Sequence, residues 1–134
     1  MKKYLFLILA IAVAAPMWAQ TASTAGAVIT FEKSTHDFGD IKQGDKVEEV
    51  FRFTNTGTEP LVITNVEVSC GCTVPKWPRD PIAAGGKGEI LVVFNSAGKS
   101  GAQNKVVTVV SNASNPESAL IKFKANVLVT ATNQ

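Results

Sequence analysis

Two cysteines, Cys70 and Cys72, stand in the stretch VSCGCTVPKWP with only Gly71 between them, and the chain has no others. On a regular strand residues two apart point to the same side, and a glycine between them lets the backbone pucker enough to join the sulfurs. In an oxidising compartment the default state of such a pair is a disulfide. Closing a three-residue loop removes only ~1.6 kcal/mol of unfolded-chain entropy, whereas distorted geometry stores several kcal/mol. A bond here therefore fixes a local corner or stands ready for thiol exchange; it is not a staple for the whole fold. The competing chemistry is a soft metal site for Cu(I) or Zn²⁺. A structural zinc takes four protein ligands, and beyond the two thiolates the only imidazole is His36. Redox motifs of thioredoxin type use two intervening residues and a βαβ setting, and this stretch has neither.

The other residues capable of chemistry form no complete device. His36 precedes Asp37 and is expected at a strand-end turn, bonding to local backbone. A nucleophile needs a base beside it, and one histidine supplies no clear partner. AGKS at Ala97–Ser100 has the end of a phosphate-binding loop, but Val93 stands where that loop needs its first glycine and no helix follows. Asn112-Ala113-Ser114 matches a glycosylation sequon. Trp77 lies between Pro75 and Pro78, on a stiffened loop where it could anchor a partner or fold back over the end of the domain. No catalytic residue, cofactor or bound metal is expected.

The N-terminus sets the compartment in which the thiols would work. Lys2 and Lys3 precede an apolar run from Tyr4 to Ala15, then Pro16 and Ala19. That is the pattern of a secretory signal, with cleavage expected between Ala19 and Gln20. The run is shorter than the ~20 apolar residues that span a bilayer, so no anchor is expected after cleavage. Losing Lys2 and Lys3 from 13 basic residues leaves 11 against 11 acidic ones. A balanced chain gives no support for nucleic acid or anionic lipid as a partner. Residues 20–27 are small and polar and read as a flexible leader, with one domain over 28–134.

The elements that must carry these residues are strands. KVEEVFRFTN, Lys46–Asn55, alternates with period two and turns Phe51 and Phe53 to one side. NTGTEP breaks the chain, and LVITNVEVS follows with a phase change at Thr64 and Asn65 that predicts a bulge or a strand switching sheets. Pro75, Pro78, Pro81 and AAGGKG predict loop. Glu89–Asn95 is a strand with Ile90, Val92 and Phe94 in one phase, and Lys105–Ser111 is β-branched on both faces, as in mid-sheet. Leu120–Val127 alternates most cleanly, with Ile121, Phe123, Ala125 and Val127 inward. With segments at Val28–Phe31 and near Phe38, about seven short strands result, which predicts an all-β, antiparallel Ig-like sandwich. A small closed barrel is the alternative, because periodicity does not report closure.

HDFG at His36–Gly39, NTGTEPLVI, SCGCTVPKW, PIAAGGKGEI and the terminal strand near Val127 together resemble the secreted Ig-like family known as domain of unknown function 1573. The chain is also similar, more distantly, to Hydin-type and major-sperm-protein-like Ig domains. It departs from the family's usual pattern at Ala84 and Gly86. The resemblance implies an exported β-sandwich and no particular reaction. The expected function is thus a non-catalytic structural or protein-interaction module of the cell envelope, periplasmic or extracellular. Its partner would bind through an edge strand or the Trp77 loop. The alternative is a small thiol-redox or copper-binding protein built on Cys70 and Cys72.

Overall fold

The computed structural model describes residues 26–130, so the expected signal and its Ala19–Gln20 cleavage site lie outside the described residues. The strands are β1 (Ile29–Phe31), β2 (Thr35–Lys42), β3 (Lys46–Asn55), β4 (Ile63–Val68), β5 (Thr73–Lys76), β6 (Lys87–Asn95), β7 (Gly101–Ser111) and β8 (Leu120–Leu128). A short 3-10 turn, Pro116–Ser118, precedes β8, and there is no α-helix among the described residues. One sheet has the order β1-β3-β6-β5, the other β2-β8-β7-β4.

Alternation in the sequence becomes burial between the sheets. Phe51, Phe53, Ile90, Val92 and Phe94 from the first sheet meet Val107, Ile121, Phe123 and Val127 from the second, all nearly inaccessible to solvent. Phe94 packs on Phe123 with ring centroids 5.5 Å apart. Each such side chain contributes roughly 1.5–3 kcal/mol by leaving water. β3 pairs with β6 so that Phe53 stands opposite Gly88. A Cβ on Gly88 would run into the Phe53 ring, so the glycine is what lets this ring lie flat on the neighbouring strand.

The architecture is the expected sandwich, with three local differences. There are eight strands, the additional one being β5 in the proline-rich stretch where loop is predicted. β5 pairs only with β6 and so lies on a sheet edge, the one place where a missing N–H is tolerated. β2 runs parallel to β8, while the other strand pairs are antiparallel. This follows from β1 and β2 being successive segments whose connection, Glu32 to Ser34, carries the chain from one sheet to the other. His36 lies within β2 and not at a turn; the expected bend is a bulge between Asp37 and Asp40, where Gly39 takes φ +69° and its N–H donates to Asp37 Oδ1. The phase change at Thr64 is the bulge that was one of its two expected readings, between Ile63 and Asn65.

At the N-terminal side, packing reaches into the stretch read as leader. Ala27 is buried, and its carbonyl accepts from the Ser114 N–H at 2.9 Å. Gly26 accepts from the Thr58 N–H at 2.8 Å. A Cβ on Gly57 would overlap the Gly26 carbonyl, so the glycine of NTG is what admits this segment.

Candidate functional site

Two regions hold the residues singled out for chemistry, and they lie at opposite edges of the second sheet. His36 is on β2 and the cysteines follow β4, the other edge strand. The three candidate metal ligands are therefore not brought together, and among the described residues no three His, Cys, Asp or Glu side chains group to hold a metal ion.

The cysteine corner is the turn from β4 into β5. The Thr73 N–H donates to the Cys70 carbonyl at 3.3 Å, and the Cys72 carbonyl accepts from Asn95 at 2.8 Å, which docks the turn onto β6. The Cα atoms of Cys70 and Cys72 are 5.3 Å apart and the sulfurs are joined as a disulfide. Gly71 does not take a positive φ, and a Cβ there would meet open space. The puckering role expected of it is thus not forced by crowding or by backbone angle. Cys72 packs against the core cluster. Thr73 is 4% exposed, and its hydroxyl lies 3.9 Å from each sulfur. No oxygen or nitrogen partner reaches that hydroxyl among the described residues.

Trp77 continues the chain beyond β5. Its ring packs against the core, and the Arg79 guanidinium stacks 4.0 Å from the ring centroid. Its Nε1–H is buried with no hydrogen-bond partner among the described residues. The ring is held between core and cation rather than standing free.

Around His36, Lys33 Nζ donates to His36 Nδ1 at 3.1 Å and to Glu49 Oε1 at 2.8 Å. His36 Nε2 lies 3.6 Å from Glu49 Oε2, and the imidazole stacks edge-on against Phe38 at 4.5 Å. The bonded Lys33 ammonium holds Glu49 below the ordinary carboxylate range, against a partial desolvation penalty. The Gly39 N–H, aided by Lys124 3.5 Å away, does the same for Asp37. These groups tie β2 to β3 across the flank of the sandwich. The imidazole is thus held between Lys33, Glu49 and Phe38, and the cluster orders this edge.

Next to it a shallow groove of about 420 Å³ opens, lined by Thr35, Asp37, Val106, Lys122, Phe123 and Lys124 among others. The outward backbone of the four sheet edges differs. On β1, the Asn115 amide accepts from the Ile29 N–H at 3.1 Å and donates to its carbonyl at 2.8 Å. On β5, the bond from Asn95 to Cys72 puts Pro75 on the outward side, where it has no N–H to offer. On β4, Asn65 Oδ1 takes the Val66 N–H at 2.9 Å. On β2, Asp45 takes the Lys42 N–H at 3.0 Å and Asp37 takes that of Gly39. Among the described residues no side chain covers the first half of β2 in this way. There the Lys122 N–H donates to the Ser34 carbonyl at 2.8 Å, and a parallel ladder begun in this way turns the backbone of Thr35 and Asp37 outward.

Sequence reasoning missed Thr73 and Asn55, and read Asn112 as a glycosylation sequon without its structural role. Asn55 is fully buried; its Oδ1 accepts from Val28 and Gly57 (3.2 and 3.1 Å) and its Nδ2 donates to the Glu59 and Ile82 carbonyls (2.7 and 2.9 Å). Its place in the phase of Phe51 and Phe53 was the available signal. Asn112, the sequon residue, donates to the Pro60 carbonyl at 3.0 Å and accepts from Val62 at 2.8 Å, so its amide is engaged in the fold.

Comparison with known proteins adds the family. The model described as "Protein of unknown function (DUF1573)" matches residues 29–127, and the chain belongs to that family. No curated protein matches the chain. Among solved structures it is similar to a protein of unknown function from Porphyromonas gingivalis, with TM-score 0.62 and 20% identity over 83% of this chain and 51% of that one. It thus spans about half the length of that relative. It is also similar to the ASH / PapD-like domain 7 of human CEP192, with TM-score 0.57 and 10% identity over 92% of this chain and 99% of that one. The YadV chaperone matches with TM-score 0.53 and 16% identity over 78% and 54% of the two chains. At these identities the likeness concerns the Ig-like fold alone.

Proposed function

We propose that this family member is an exported, non-catalytic binding module of the cell envelope, whose partner lays an extended segment along the open half of β2. Export rests on the charged, apolar and small-residue pattern of the first 19 residues. The non-catalytic reading is supported by His36 being engaged with Lys33 and Glu49. The observation that carries the partner mode is the contrast between edges: side chains or a proline occupy β1, β5 and the β4 bulge, while Thr35 and Asp37 keep outward backbone groups. An unprotected edge beside a groove is the architecture that strand addition uses. That a chaperone shares the fold supports polypeptide binding by analogy of architecture.

The test is site-specific cross-linking in the native envelope. A photo-cross-linker at Ser34 is expected to give a discrete adduct, and one at exposed Glu48 on the first sheet none. Thr35→Pro removes an outward N–H without touching the ladder to β8 and is expected to cut the Ser34 adduct about tenfold, a loss of ~1.4 kcal/mol. Equal adducts at both positions, or an adduct indifferent to the proline, would overturn the edge-binding mode.

A further inference from the structure

The disulfide corner holds a buried hydroxyl whose only hydrogen-bonding contacts among the described residues are to sulfur. Thr73 is 4% exposed, and its Oγ1 stands at 3.9 Å from both Cys70 Sγ and Cys72 Sγ, the outer limit for a hydrogen bond to sulfur. Disulfide sulfur is a weak acceptor, so in the oxidised corner this donor is desolvated and nearly unrewarded. A thiolate is a strong, charge-assisted acceptor. Breaking the disulfide therefore gives the hydroxyl the partner it lacks and gives the leaving sulfur a donor already in place. The loop closed by the bond spans a sequence separation of two, so the bond restricts the unfolded chain little and opening it costs the fold little stability. The two sulfurs also differ: Cys72 packs against the core cluster, whereas Cys70 sits on the turn between exposed Ser69 and exposed Gly71.

From these contacts we infer that Cys70 and Cys72 form a thiol–disulfide exchange site that oxidises a thiol-bearing partner, with Thr73 as its positioning residue. The partner's thiolate attacks Cys70 Sγ; the Cys70–Cys72 bond breaks, and Cys72 leaves as a thiolate that accepts from the Thr73 hydroxyl. A second thiol of the partner then attacks the partner's own sulfur in the mixed disulfide and releases Cys70. The partner loses two electrons and two protons and becomes a disulfide, and the protein gains them as two thiols. The shared chemistry is a pair of thiols, carried by one polypeptide or by two small molecules. This inference is independent of the edge-binding mode, since β2 and the cysteine turn occupy opposite edges of their sheet.

The test equilibrates the folded protein with defined ratios of reduced and oxidised glutathione, then alkylates it and reads the Cys70–Cys72 state by mass. The wild-type pair is expected to titrate within the range these buffers span. Thr73→Val, close to isosteric, is expected to shift the equilibrium about tenfold toward the disulfide, ~30 mV in potential. Thr73→Ser is expected to restore it to within threefold. If Thr73→Val does not fold, Thr73→Ala provides the same measurement. With Cys72→Ser the remaining Cys70 is expected to form a mixed disulfide at least tenfold faster than Cys72 does in Cys70→Ser. A second arm replaces glutathione by a reduced two-cysteine peptide; faster exchange with the peptide assigns a polypeptide partner, and faster exchange with glutathione a small one. A pair that stays oxidised across all ratios, or Thr73→Val titrating like wild type, would overturn the inference.

Discussion

Two corners of the sandwich bury polar side chains at similar depth and treat them in opposite ways. At the Asn55 corner each side-chain amide atom has two partners, and the backbone closes a further pair with Gly85 and Gly86 at 2.7 and 2.8 Å. At the Cys70–Trp77 corner, among the described residues, the Thr73 hydroxyl has only sulfur as a partner and the Trp77 indole N–H has no hydrogen-bond partner. Buried polar groups stabilise a fold when satisfied and weaken it when left short, by about 1–3 kcal/mol each. The first corner is consequently a structural hub that joins the Ala27 segment, the NTG turn and the Ile82 loop. The second gives up stability, which is the usual mark of a place where polar groups are kept for something other than folding.

Substitutions can test that contrast directly. The largest effect is expected at the hub. Asn55→Leu strands the Val28 and Gly57 N–H groups and the Glu59 carbonyl, leaves the Ile82 carbonyl with the Leu61 N–H alone, and should cost about 3–4 kcal/mol, read as a lower urea midpoint with an unchanged slope. A loss under ~1 kcal/mol would mean that the corner relaxes around the gap, and the distinction between hub and reserve would fail. Opening the other corner should matter less. The Cys70→Ser, Cys72→Ser double variant loses at most ~1.6 kcal/mol of loop entropy. Its new hydroxyls also offer oxygen to Thr73, so the measured midpoint should fall by less than that figure allows. The smallest effect is expected from Trp77→Phe, which removes the unpartnered N–H and keeps an aromatic face for Arg79. Its stability should stay within about 1 kcal/mol of wild type; a larger loss would reveal a partner for the indole and make the two corners alike.

How far the sequence reached is clearest strand by strand. Where one face is buried and the other wet, period-two alternation is a direct imprint of burial, so Lys46–Asn55 and the inward set Ile121, Phe123, Ala125 and Val127 were legible residue by residue. The bulge near Thr64 was legible too, because an inserted residue must flip the phase. β5 was not, since Pro75 reads as a breaker and only a neighbour on one side makes it tolerable. β7 was partly so: Val107 and Val109 face the core, while Val106 is 40% exposed on the open face. A run that is β-branched on both sides carries no phase of its own.

The sequence by itself determined the strand periodicity, the phenylalanine core and the adjacency of the two thiols, because each is a matter of spacing along one chain. The partners of Asn55, the isolation of the Thr73 hydroxyl between two sulfurs, the parallel seat of β2 and the cover that Asn115 places on the β1 edge were decided only by tertiary structure. Each joins atoms from segments distant in the chain or depends on which atoms fail to arrive, and no local pattern records either.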